Sequence, residues 1–280
     1  MNSNKMKPEK LKELLDIINS KLPSGGKILC LSLTGSQAFG WANENFDYDM
    51  HGLFTAKSSW SWVHDGRGVF DINLYSLEYI LTHLPDYLGF EFFQNISNPV
   101  YLDANFDYRG LMSLCSPNSC YEPTDEIMRL KNHFAPRAVL HCYRVLMVPI
   151  HFLQTRTFEL DIFKLNKKYN FKMLLVMKEA YWDIVFKNQN RKVEEFEKEI
   201  ILQDLDKLLI EFRKLKEKTK DEKIAPEKIE KWKSGISQTW EIELEQKIEP
   251  KIEQGQKEKK SGFLNFLISF LKKLFTGLKY

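Results

Sequence analysis

A glycine pair and a Gly-Ser turn fence one short apolar run, and that arrangement restricts the fold more than any other stretch of the chain. Gly25-Gly26 precede Ile28 to Leu33 (ILCLSL), and Gly35-Ser36 follow it. A continuous apolar, partly β-branched run bounded by turn residues predicts a buried strand that ends in a tight turn. Such a strand presents backbone N–H groups at its end. If Ser36 to Trp41 opens a short helix, those N–H groups, the Ser36 hydroxyl and the positive end of the helix dipole converge on one spot suited to an anion. Gly35 has no Cβ, so a phosphate can approach the backbone there closely.

Asp47, Asp49 and His51 follow in DYDMHGLF. In an extended strand, residues two apart project from the same face, so the two carboxylates converge while Tyr48, Met50, Leu53 and Phe54 supply apolar contacts. Carboxylates held together repel more strongly as the local dielectric falls, and a cation between them removes that penalty. Hard oxygen ligands favour Mg²⁺ or Mn²⁺. Asp71 lies in VFDINLYSLEYIL, where Asp71, Asn73 and Tyr75 alternate with Ile72 and Leu74 as in a half-buried strand.

GSQAFG and DYDMHGLF, taken together, resemble the DNA polymerase β-like nucleotidyltransferase superfamily, and most closely its bacterial and phage branch of small predicted nucleotidyltransferases. The resemblance implies an α+β fold, with a short mixed sheet flanked by helices as the polymerase β-like core. It implies that Gly35 and Ser36 hold the triphosphate of a nucleotide and that Asp47 and Asp49 bind two divalent ions. A third carboxylate on a later strand completes the metal site and helps to deprotonate the acceptor. Asp71 fits that role best. Glu78 competes but falls where SLEYILTHL reads as a helix, and Glu91 competes but lies after Pro85 and Gly89. His51 fits either a satisfied structural histidine or a contact to metal or nucleotide.

Four segments are expected. Residues 1–110 carry the strands and the motif, in the order helix, strand, short helix, strand, strand, helix. Residues 111–216 form a helical region beside the active site, with helices over His133 to Gln154, Lys172 to Lys187 and Val193 to Lys216. The run AVLHCYRVLMVPIHFL resembles the helix that packs beside the nucleotide in this branch, where a basic residue reaches the phosphates; Arg144 or His141 would do so here. The alternative is a core helix with Arg137 and Arg144 on its solvent edge. Residues 217–261 are rich in Lys and Glu with few apolar anchors, and read as a tether, although IEKWKSGISQTWEIELEQKIE has the makings of a local element.

Residues 262–280 form an amphipathic C-terminal helix. At about 100° per residue, Phe263, Phe266, Leu267, Phe270, Leu271, Leu274 and Leu278 share one arc, with Lys272, Lys273 and Lys279 opposite. The segment is shorter than the roughly 20 apolar residues that span a bilayer and carries lysines, so it suits a membrane surface or a partner groove, with docking on its own core as the third option.

Cys30 and Cys142 sit in apolar runs as core residues, whereas Cys115 and Cys120 in CSPNSC lack the second close pair that zinc sites use. The polar start followed by an amphipathic helix has no signal-peptide character, and a reducing cytoplasm is expected, with the C-terminal helix peripheral at a membrane. The net charge of +3 singles out no polymer. The expected activity is metal-dependent transfer of a nucleoside monophosphate, AMP by analogy, from an NTP to an acceptor hydroxyl with release of pyrophosphate. The acceptor would be a protein hydroxyl, an RNA 3′ end or a small molecule. A nucleotide-binding or partner-binding module without turnover is the alternative.

Overall fold

The computed structural model describes residues 6–42, 47–55, 60–64 (backbone only), 69–84, 89–189 and 191–240. Helix α1 (Pro8–Lys21) leads into β1 (Lys27–Leu33), the four-residue α2 (Gly35–Ala38), β2 (Tyr48–Thr55), β3 (Trp60–His64) and β4 (Phe70–Ser76). Then come α3 (Leu77–His83), α4 (Phe90–Ile96), β5 (Pro99–Leu102) and α5 (Tyr108–Met112). The rest is helical: α6 (Thr124–Asn132), α7 (Pro136–Thr155), α8 (Ile162–Tyr169), α9 (Lys172–Lys187), α10 (Glu195–Thr219) and α11 (Pro226–Trp240).

The fold is α+β, with a mixed sheet ordered β3-β4-β2-β1-β5 near the N-terminus and a largely helical region after it. β1 is buried along its whole length after Lys27, as its unbroken apolar run requires when both faces are covered. It pairs antiparallel with β2 and β5, while β2 and β4 run parallel. At Gly52 a Cβ would run into the Cys30 carbonyl of β1, so glycine there permits the close approach of the two strands. β4 alternates buried and half-buried residues: Ile72 and Leu74 face the core, while Asp71, Asn73 and Tyr75 share the open face. β3 is an additional strand between the two that the sequence pattern predicts, and β5 was also missed, being four residues long and beginning with proline.

α7 is apolar around most of its circumference and packs against α9, α10 and α8. Buried side chains from Leu14 to Ile236 form one cluster that runs through the sheet and the helices alike.

The tether expected over 217–261 is corrected in its first part. α10 continues to Thr219, and Pro226–Trp240 form α11, which buries Ile229, Trp232, Lys233 and Ile236. Those positions fall at i, i+3, i+4 and i+7, the period of an amphipathic helix, and composition averaged over the tract hides it. Trp232 Nε1 donates to the Asp107 carbonyl at 3.2 Å and Lys233 Nζ to the Leu84 carbonyl at 2.9 Å, so polar atoms reinforce the apolar face. The expected C-terminal helix, residues 262–280, lies outside the described residues. Among the described residues no helix is long and apolar enough to cross a membrane.

Candidate active site

The Gly-Ser turn and the Asp pair meet directly. Gly35 adopts φ +60°, a left-handed conformation that glycine takes without strain, and a Cβ built on it would collide with the Asp49 carboxylate. The Thr34 backbone N–H and hydroxyl both donate to the Asp49 carbonyl, at 2.8 and 3.2 Å. The Ser36 backbone N–H donates to the Asp49 carboxylate. The anion that the turn cradles is therefore, in the first instance, the protein's own carboxylate. α2 has a single turn, so its dipole adds little.

The parallel β2–β4 register sets Asp49 against Asp71 and His51 against Asn73, which places all four on one face. Burial pushes the Asp49 carboxyl up to about 6, with the negative charges of Asp47 and Asp71 adding to the shift while Arg137 and the Ser36 N–H oppose it. Burial pushes His51 down to about 4 against the pull of Asp71, so its imidazole is neutral at pH 7, and its enclosed Nδ1 has no hydrogen-bond partner. Asp47, just ahead of β2, is exposed. Glu78 lies in the first turn of α3, and Glu91 in the first turn of α4, a helix capped by Gly89. Neither glutamate is among the charges that act on Asp49.

Arginine placement differs from expectation. Arg137, exposed in the first turn of α7, is the arginine that acts on Asp49, and it also acts on Tyr181 of α9 together with Asp47 and Asp49. Arg144, on which the resemblance places phosphate contact, lies farther along the helix. Its guanidinium sits 4.6 Å from the centre of the Phe39 ring, donates to His141 Nδ1 at 3.2 Å and leaves its enclosed Nε unpartnered. Burial drives His141 down to about 3, helped by Arg144, Arg137 and Arg129, so it is a neutral acceptor rather than a phosphate-binding cation. A strongly apolar helix gives no phase from which sequence could tell which of its arginines meets the carboxylates.

The donor set suits a hard divalent cation: the negative charges of Asp47 and Asp71 help to push the Asp49 carboxyl up, and a cation relieves that repulsion. Among the described residues, no three His, Cys, Asp or Glu side chains are already grouped as a metal cage. Cys115 and Cys120 are free and buried, as are Cys30 and Cys142, and burial pushes the Cys120 thiol up to about 12. No family model matches the chain, and no curated protein matches it.

Proposed function

We propose that this chain is a metal-dependent nucleotidyltransferase with a polymerase β-like core, which moves a nucleoside monophosphate from an NTP to an acceptor hydroxyl and releases pyrophosphate. The observation that carries the reading is the contact of Gly35 and Ser36 with Asp49, together with the register that sets Asp49 beside Asp71. A phosphate turn and a carboxylate pair are then one site, joined by backbone geometry.

Asp47, Asp49 and Asp71 would hold two Mg²⁺ or Mn²⁺ ions. When bound, such ions supply a lowered pKa for the acceptor hydroxyl and charge neutralisation for the leaving pyrophosphate. Gly35 and Ser36 would place the triphosphate close to the backbone, where the Ser36 N–H that now donates to Asp49 could donate to a phosphate oxygen instead. Arg137 takes the role for which the resemblance suggested Arg144 or His141, balancing phosphate charge from the first turn of α7. Asp71, next to Asp49 on the half-buried face, accepts the proton of the attacking hydroxyl. The acceptor classes remain a protein hydroxyl, an RNA 3′ end or a small molecule, and residues 263–280 would bring the enzyme to a membrane surface or a partner groove.

One observation favours the competing module without turnover: the Ser36 N–H is engaged by Asp49 rather than open to a ligand. Incubation with α-labelled ATP, GTP, CTP and UTP and either metal separates the two. Transfer predicts pyrophosphate release and label on an acceptor, both abolished by Asp49→Asn. Nucleotide binding with no pyrophosphate under any condition supports the module instead.

A further inference from the structure

The carbonyls of Phe39, Gly40 and Trp41, just past the Gly-Ser turn, are each taken by a donor from the helical region. The Ile162 N–H of α8 donates to the Phe39 carbonyl at 3.3 Å, Lys178 Nζ of α9 to the Gly40 carbonyl at 2.7 Å, and Trp182 Nε1 of α9 to the Trp41 carbonyl at 2.6 Å. Gly40 adopts φ +85°, and a Cβ there would collide with the Asp161 carboxylate that caps α8, so glycine lets the backbone reach the helix start. The Lys178 ammonium also lies 4.3 Å from the centre of the Phe163 ring and 4.8 Å from that of Trp182. α9 is thereby fastened to the segment that leads from the turn towards Asp47.

Lys178, Tyr181 and Trp182 stand at i, i+3 and i+4, on one face of α9. The first and last are docked on the segment after the turn, so Tyr181 is set over the same part of the molecule. Its ring packs against the core cluster, and the residue is half-buried. Burial raises the Tyr181 phenol; the Arg137 guanidinium opposes the rise, and the carboxylates of Asp47 and Asp49 add to it. The hydroxyl therefore keeps its proton at neutral pH and remains a donor. It shares its surroundings with the arginine proposed to balance phosphate charge and with two of the carboxylates proposed to hold metal.

We propose that Tyr181 is a further catalytic residue, whose hydroxyl donates a hydrogen bond to a non-bridging oxygen of the α-phosphate. The proposal rests on the nucleotidyltransferase reading. Transfer forms the bond from the acceptor oxygen to the α-phosphorus and breaks the bond from that phosphorus to the bridging oxygen of pyrophosphate, while the acceptor's proton passes to Asp71. The α-phosphate then lies by the carboxylates, and the rest of the triphosphate lies towards Arg137 and the Gly35-Ser36 turn. A donor near both Arg137 and the Asp47–Asp49 pair meets the α-phosphate between them. Tyr181 neither gains nor loses a proton: it holds the phosphoryl group in line for attack and stabilises the charge on its oxygens. Lys178 and Trp182 are positioning residues, which keep α9 and so Tyr181 against the turn.

The test compares the wild-type full chain with Tyr181→Phe, which keeps the ring and its packing. Steady-state pyrophosphate release should fall roughly tenfold or more in kcat, the loss of one donor to developing charge. Affinity for an α,β-methylene NTP, measured by calorimetry in Mg²⁺, should change by no more than about threefold. In ³¹P NMR of the bound analogue, the α resonance should differ between the two proteins and the γ resonance should stay in place. An unchanged kcat overturns the proposal and leaves the nucleotidyltransferase reading standing. A fall in kcat with the α resonance unmoved overturns it too, because Tyr181 then acts on the site only through packing. A wild-type chain that binds the analogue but releases no pyrophosphate from ATP, GTP, CTP or UTP overturns the nucleotidyltransferase reading, and this proposal with it.

Discussion

Strands β2 and β4 present polar side chains at every second residue of a half-buried face, whereas α7 carries Arg137 and Arg144 on a helix that is apolar almost all round. On the strands, Asp49, Asp71, His51 and Asn73 are held by backbone pairing, so their relative positions follow from register alone. On α7, two arginines two turns apart meet different surroundings: one lies in the open first turn near Asp49, the other is packed on Phe39 between α4 and α6 residues. Strands fix the relative positions of their polar groups, and the helix distributes its arginines among different surroundings along its length. The C-terminal half of the described chain serves this division by holding α7 in place, through α9 and α10.

If the strand pair does the chemistry, Asp71→Asn should lower the turnover rate by roughly 10²-fold or more and change nucleotide affinity little, because a group acting on the attacking hydroxyl contributes in the transition state. Steady-state kinetics with separated kcat and KM decides this, and equal loss from Glu78→Gln with Asp71→Asn active would move the third carboxylate to α3. The helical side can be broken structurally. Trp232→Ala in α11 should destabilise the protein by about 3 to 5 kcal/mol, since Trp232 is buried and donates to the Asp107 carbonyl. Chemical denaturation measures it; an unchanged midpoint would return α11 to the status of a tether.

Arg137→Met should raise KM for the NTP about tenfold with a smaller effect on kcat, the loss expected for one charge-assisted contact. A larger KM effect from Arg144→Met on all four nucleotides alike would reverse the roles of the two arginines. The smallest effect concerns pH. Asp49 has a raised carboxyl, so without metal its contribution to stability is complete below about 3.8 and is lost as pH rises through about 6. Asp49→Asn should therefore melt a few degrees above the wild type at pH 7 in EDTA and show no such advantage at pH 4. A melting difference independent of pH would mean that neither burial nor neighbouring charge raises the Asp49 carboxyl.

Alternation made the strand face legible: Asp71-Asn73-Tyr75 against Ile72-Leu74 predicts β4, and Asp-x-Asp predicts the shared face, because a period of two has only one phase ambiguity. Register was not legible, and it is register that sets Asp71 beside Asp49. α4 was not legible because Pro85 and Gly89 are helix breakers, while Gly89 proves to be the residue that caps the helix. α11 was legible only as a local element in IEKWKSGISQTWEIELEQKIE, because an average over Lys and Glu conceals the helical spacing of Ile229, Trp232 and Ile236. The solvent-edge alternative holds for Arg137, which is exposed; what sequence lacked was the knowledge that Arg137 acts on Asp49.

On the proposed reading, Asp49 and Asp71 form a nucleotide-dependent metal site against the Gly35-Ser36 turn. Electron paramagnetic resonance of Mn²⁺, titrated into the full chain with and without an α,β-methylene NTP, measures it most directly. The nucleotide should tighten Mn²⁺ binding to the wild type, and Asp49→Asn and Asp71→Asn should each weaken that binding by about tenfold or more in affinity. Mn²⁺ binding that is the same in all three proteins, with nucleotide present, would contradict it.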